Sequence, residues 1–372
     1  MNFEVEFLPV GEASKGGDAI VVRYETQPGY FGLIVIDGGS MESGEETVNH
    51  IRRHYGENAK IAHAILTHCD ADHACGFREI VQELDVKNVW MNRPWLAAPG
   101  SQPYFADKRF SAQALATRLR DEFDLISEIE EIALKRSMKI LQPFAGEKIG
   151  PFTVLSPLPG AYELLVPQFD KGPEPDQVAL EAAGFWIGKP PGLIAKLMGK
   201  VAAKAEKWTQ ETWENERLKD GGKTSAANES SVVLFGDFGV SERVLLTGDA
   251  GYLALLQSKF TAERLALPMQ GFSLVQIPHH GSRSNVGPSI LNQVIGPILP
   301  KGSAPRFSAF VSAPKDDENH PRKMVLNAFI RRGARVQATQ GVPKCYTVGY
   351  PFKDGYGPAD PMPFSARVED YD

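Results

Sequence analysis

The chain has 372 residues, 42% hydrophobic and 23% charged, the balance of a globular protein rather than a disordered or fibrous one. A net charge of −6 excludes a generally basic, nucleic-acid-coating protein, so any anionic substrate must be drawn by a local patch or a bound cation. The three cysteines, Cys69, Cys75 and Cys345, form no CxxC pair and no even set for a disulfide framework; with no signal-peptide pattern and no window near the roughly 18 apolar residues of a membrane span, the reading is a cytoplasmic protein.

Residues 3–10 alternate as a strand does, a glycine-rich turn follows at 11–17, and 18–24 and 32–36 predict two further strands. The last of these runs into Asp37-Gly38-Gly39-Ser40, where an aspartate at the mouth of a buried strand is suited to anchoring a neighbouring loop. The spacing predicts an amphipathic helix over 45–55. It carries His50 and His54 four residues apart, on a polar face where they read as solvated.

Residues 67–76 then read Thr-His-Cys-Asp-Ala-Asp-His-Ala-Cys-Gly, between a short apolar strand at 62–66 and a helical pattern at 77–84. Two imidazoles and two carboxylates in one tight turn are costly to bury unpaired, and a divalent metal satisfies all four. With only 8 His in the chain, His68, Asp70, Asp72 and His73 are candidate metal ligands.

Downstream, 88–91 predicts a strand, 93–110 a long loop, and Leu115, Leu119, Phe123, Ile126, Ile129 and Ile132 one long helix over 111–141. A strand returns at 148–157. Composition changes over 160–227, read as a largely helical insertion within a single domain of 1–372. Its helix over 193–218 sets an apolar face against Lys196, Lys200, Lys204 and Lys207, a solvated face or a surface for a substrate or protein partner. Strands follow at 230–235 and 243–247, joined as a hairpin, the second ending in Gly248-Asp249. A helix at 252–259 leads to a strand at 274–277 that ends in Pro278-His279-His280-Gly281-Ser282. A strand at 307–312, a helix from Asn319-His320-Pro321 to 332, and strands at 335–338 and 344–350 complete an α/β chain. Its strand-rich halves, each followed by helices, predict two mixed sheets face to face with helices outside.

The order of these motifs resembles the metallo-β-lactamase superfamily, whose HxHxDH signature corresponds to His68-Cys69-Asp70-Ala71-Asp72-His73 with Asp70 in place of the second histidine. Within it, the nearest resemblance is to the soluble hydrolase domain of the DNA-uptake channel ComEC and its free-standing relatives. That resemblance rests on 7–11, 17–20, 36–39, the 70–73 run, Asn228 with Ser230 and Ser231, 246–249, 278–282 and 319–321. It implies a four-layer αββα sandwich holding two divalent ions, zinc or manganese. His68 and Asp70 would ligate the first; Asp72, His73 and His280, with His279 as the alternative, the second; Asp249 would bridge. It also implies hydrolysis of a nucleic acid or other phosphodiester by a metal-bound hydroxide that Asp72 orients, with His320 as proton donor. Asn228, Ser230, Ser231 and the amides of Gly281 and Ser282 would line a phosphate pocket, and Asp37 would support the ligands from behind. The superfamily places another histidine between the signature and the bridging aspartate; this chain has none between His73 and His279, which implies a weaker first site. A hydrolase of small or cyclic esters and a non-catalytic metal-sensing module are the competing readings.

Overall fold

The computed structural model of the protein describes residues 1–12, 16–188, 207–239, 242–357 and 360–371. Alternation builds the inner layer: on β1 (Phe3–Phe7), Phe3, Val5 and Phe7 point to one side and Glu4 and Glu6 to the other. β2 (Ile20–Gln27) and β3 (Tyr30–Ile36) continue the antiparallel meander. After α1 (Met41–Tyr55), the chain turns parallel through β4 (Lys60–Ile65), β5 (Asp85–Trp90) and β6 (Lys139–Leu141), with α2 (Ala71–Glu83) crossing between β4 and β5.

The second half repeats this plan. β7 (Lys148–Ile149), β8 (Phe152–Ser156) and β10 (Val233–Asp237) are antiparallel, as are β10 and β11 (Arg243–Leu246). β11, β12 (Leu274–Gln276), β13 (Phe307–Val311) and β14 (Ala334–Ala338) are parallel. β15 (Lys344–Val348) returns to the first sheet beside β1, whereas β9 (Trp208–Gln210) pairs with β16 (Arg367–Glu369) in a separate ribbon.

The sheets face each other through Phe3, Phe7, Val22, Ile36, Val154, Leu234, Leu246 and Phe310, with Phe3 stacked on Phe238 at 3.9 Å between ring centres. Two further apolar layers bind the helices to the outer faces. This is the four-layer arrangement expected, and no described helix is long and apolar enough to cross a membrane. α1 and α2 approach so closely that a Cβ on Gly44 would lie 2.4 Å from the Gly76 Cα, and one on Gly38 2.2 Å from the Gly76 carbonyl carbon. Only glycine fits there, and the contact presses the start of α2 against the end of β3.

Several sequence expectations are corrected. The helix expected over 111–141 breaks at Phe123 (φ −97°, ψ 52°), which ends α3 (Ala112–Glu122) and begins α4 (Asp124–Lys135), and 139–141 is strand β6. Apolar residues every three or four positions continue through the break because both helices bury their apolar residues in the same core layer. The 93–110 loop contains short helical turns at Pro94–Ala97 and Ala98–Ser101. Of the helix expected over 193–218, residues 207–218 are not helical: Trp208–Gln210 is β9, held by the buried pair of Arg331 and Glu211 at 2.8 Å. Lys196, Lys200 and Lys204 lie outside the described residues.

His50 is not solvated either. It turns its Nε2 to 3.2 Å from Glu6 Oε1 in a buried polar cluster with Lys353 Nζ (2.8 Å), Tyr356 OH (2.7 Å) and Tyr55 OH around the Glu6 carboxylate. Burial disfavours the charge on Glu6, but His50 and Lys353 outweigh it and pull the pKa down to about 2. A carboxyl group whose folded pKa lies below its unfolded value of 4.5 stabilises the fold above pH 4.5, and the contribution disappears as pH falls through 2. The full contribution is roughly 3 kcal/mol. Urea titrations of wild type and Glu6→Gln at pH 6 and pH 3 should show the variant less stable at pH 6 and the gap narrowed by about half at pH 3, which is still above the folded pKa. An equal gap at both values would deny the linkage.

Candidate metal centre

Parallel strands of both sheets end at one seam, and each end delivers a polar residue. β3 leads into Asp37, β4 into Thr67 and His68, β11 into Asp249, β12 into His279 and His280, and β13 into Ser312. Asp37 is fully buried in the left-handed region (φ 55°), which aspartate tolerates better than most residues. Its Oδ1 accepts from the Thr67 amide (2.7 Å), and its Oδ2 from the Thr67 hydroxyl (2.6 Å) and the His73 ring (2.8 Å).

These bonds assign the imidazole tautomers. Asp37 holds the proton of His73 on Nδ1. Thr67 gives its own proton to Asp37, so its oxygen accepts from His68 Nδ1 at 3.0 Å. The Ser312 carbonyl accepts from His280 Nδ1 at 2.9 Å. Asn285 donates through its amide nitrogen to the Asp249 carbonyl (2.8 Å), leaving its oxygen to accept from His279 Nδ1 (2.7 Å). All four rings therefore aim an Nε2 lone pair inward. Around Asp249 Oδ2, the Nε2 atoms of His73, His279 and His68 lie at 3.4, 3.6 and 3.8 Å. Asp70 Oδ2 is 3.7 Å from His68 Nε2, and Asp72 gathers with His73 and His280.

The Nε2 atoms of His68, His73 and His280 and the Oδ1 of Asp249 are buried without a hydrogen-bond partner. Burial opposes charging the imidazoles, but for His73 the carboxylates of Asp249 and Asp37 prevail and hold its pKa well above the ordinary value. Burial likewise opposes charge on Asp249, yet His279, His73 and His280 keep its pKa well below the carboxylate range. An ionised carboxylate ringed by inward lone pairs favours positive charge at its centre, and a divalent cation supplies it. The residues present fit such an ion.

Sequence reasoning placed His68, Asp70, Asp72, His73, Asp249, His279 and His280 here, and the fold brings them together. His279 and His280 both turn inward because each has left-handed φ values (46° and 54°), strain of the kind that functional sites retain. Asn228 gives its side-chain nitrogen to the Thr224 hydroxyl (2.7 Å), holds the same nitrogen 3.2 Å from His279 Nδ1 and keeps a buried, unpartnered Oδ1; Ser231 keeps an unpartnered hydroxyl. Ser230 instead gives its hydroxyl to the Ala227 carbonyl at 2.6 Å. The amides of Gly281 and Ser282 bond to the carbonyls of Pro278 and His279, so they close the turn rather than face a phosphate. His320 packs beside this turn; burial pulls its pKa down despite Asp317 at 3.1 Å, which keeps the ring neutral.

Three participants went unread. Asp18 is buried and clusters with Asp37 and His73; it accepts from Gln276 Nε2 at 2.8 Å. Gln276 accepts in turn from the amides of Thr247 (2.8 Å) and Gly248 (3.0 Å), fixing the turn that presents Asp249. Asn285 orients His279. Asp18 had a signal, the glycine before it: a Cβ on Gly17 would lie 1.7 Å from the Asp72 carbonyl oxygen, so the Gly17-Asp18 turn rests on the ligand loop.

No curated protein matches the chain. Solved structures of similar outline include a variant of CmlA β-hydroxylase, 12% identical over 93% of this chain and 54% of that one, with a TM-score of 0.41. A diphosphatase of the PhnP family is 10% identical over 94% of this chain and 98% of that one, with a TM-score of 0.39. The long form of RNase Z from yeast is 11% identical over 92% of this chain and 41% of that one, with a TM-score of 0.37. Overlap this loose says nothing about activity. The sequence pattern of the metallo-β-lactamase superfamily, by contrast, matches residues 32–256, more than half of the chain, taking in Asp37, the 67–76 loop and Asp249. With the ligand geometry and the paired sheets, this makes the chain a member of the metallo-β-lactamase superfamily.

Proposed function

We propose that the protein is a divalent-metal-dependent phosphodiesterase. The observation that carries this reading is the set of buried, unpartnered ligand atoms on His68, His73, His280 and Asp249. In this reading His68, Asp70 and Asp249 hold one ion, and Asp72, His73, His280 and Asp249 the other. His279, which gathers with Asp249 and His280, would be a further ligand beside the shared Asp249. Imidazoles suit zinc and the three carboxylates suit manganese. When bound, such ions acidify a water and offset charge on phosphoryl oxygens.

The chain's own residues position the rest. Asp37 and Asn285 fix ring tautomers, so the lone pairs stay aimed without reorganisation. Asp72, partly exposed at the start of α2, is placed to orient a water. Ser231 offers a hydroxyl to a substrate oxygen, and the Asn228 oxygen offers an acceptor to water. The neutral His320 ring offers a hydrogen bond at the rim. The order of motifs, similar to that of the ComEC hydrolase domain, supports a phosphodiester as the bond cleaved.

Elemental analysis of the purified protein, followed by assays with bis(4-nitrophenyl) phosphate and single-stranded DNA, tests the reading. We expect bound zinc or manganese, loss of turnover on chelation, and its return with Mn²⁺. A fully metal-loaded protein that cleaves no phosphodiester would instead be a metal-binding module without catalysis.

A further inference from the structure

The helix break at Phe123 leaves a cavity of about 190 Å³ against the metal centre. One wall is the ligand loop itself, Cys69, Asp70, Ala71 and Asp72. Opposite stand Phe123, Leu125 and Ile126 at the start of α4, and the rim carries Asp170 and Lys171.

The apolar wall is firm. Phe123 is 3% exposed and Ile126 1%, and the Phe123 ring meets Phe169 edge-on at 5.8 Å. The rim is looser: Lys171 reaches Asp124 at 3.1 Å, but the two side chains are 52% and 79% exposed, a pairing that holds weakly. Leu125 is half-buried and faces the opening.

Resting on the phosphodiesterase reading, we propose that this cavity binds one small aromatic or heterocyclic group esterified to the phosphate at the metal centre. Three observations favour that occupant over the interior of a polynucleotide. Its volume is well under the roughly 300–1,000 Å³ of pockets that enclose a drug-sized ligand, so it holds a single ring system rather than a run of nucleotides. Its floor is apolar and aromatic, which suits a flat ring. Its charged lining is acidic apart from Lys171, and a second phosphate would meet Asp170 there. The rim ammonium and the Asp170 carboxylate supply a donor and an acceptor for the edge of a heterocycle.

The test uses the full-length, metal-loaded protein and two anions that cannot be hydrolysed, dimethylphosphinate and methylphenylphosphinate, titrated by calorimetry. The phenyl probe should bind about tenfold more tightly, the gain from burying one ring. Leu125→Trp fills the cavity and should bring the two affinities within about twofold, with metal content and dimethylphosphinate binding unchanged. Should that variant fold poorly, Lys171→Trp at the exposed rim closes the same opening. Turnover of bis(4-nitrophenyl) phosphate is followed in parallel. If wild type cleaves it yet binds both phosphinates equally, or if neither tryptophan alters the ratio, the cavity is not the subsite while the phosphodiesterase reading stands. If no diester is cleaved and neither phosphinate binds, the phosphodiesterase reading fails and the subsite falls with it.

Discussion

Asp249→Asn is expected to fall in activity by at least about 10³-fold, the scale of losing charge stabilisation worth several kcal/mol, and to purify with less metal. Asp249 is 2% exposed, and its Oδ2 faces the Nε2 atoms of His68, His73 and His279 within 3.4–3.8 Å. Asparagine fills the same space but removes the negative charge that holds a dication among the rings, and its amide protons would point at lone pairs. Because the Asp249 main-chain carbonyl is held by Asn285, the turn should keep its shape. Elemental analysis and steady-state kinetics read both effects. A variant with wild-type metal content and wild-type turnover would remove Asp249 from the centre altogether.

Asp37→Ala should be the more damaging change for the fold. It strands three donors at once, the Thr67 amide, the Thr67 hydroxyl and the His73 ring, in a buried site. Leaving a buried donor unmet costs about 1–3 kcal/mol, so a loss of roughly 3–5 kcal/mol is expected for the set. Metal affinity should fall about 10–100-fold as His73 loses its orientation. Asp37→Asn separates the two roles. It keeps an acceptor for the Thr67 amide but turns a donor toward His73, so it should preserve most stability while shifting the His73 tautomer, visible in ¹⁵N imidazole shifts. Full metal affinity in Asp37→Ala would mean the rings are oriented by packing alone.

Much of this centre is legible in the chain because its ligands sit in short motifs where an apolar strand meets a glycine turn. His68 to His73 come in six consecutive residues, and Asp249, His279 and His280 each follow a short, mostly apolar strand. The two mixed sheets are legible for the same reason. What escaped reading depends on neighbours distant in sequence. Gln276 acts by joining Asp18 to the Thr247–Gly248 amides, a pairing across 258 residues that no local pattern encodes. His50 looks solvated on its own helix, yet it is largely covered, its ring turned onto Glu6 of β1. The break at Phe123 is hidden because both helices bury the same stripe, and periodicity reports which face is apolar rather than whether the axis is continuous.

Because the ligands straddle the seam, the centre does not exist in either half of the molecule alone. His68 and His73 follow β4 of the first sheet, Asp249 and the two later histidines follow β11 and β12 of the second, and about half the chain separates them. An ion bound there is a cross-link between distant segments, closing a loop whose entropy the unfolded chain otherwise retains. In kinetic terms the ligand set is among the last features to assemble, since it waits on contacts of long sequence separation. Once formed, it adds a polar tie at the seam to the apolar layer that already holds the two sheets face to face.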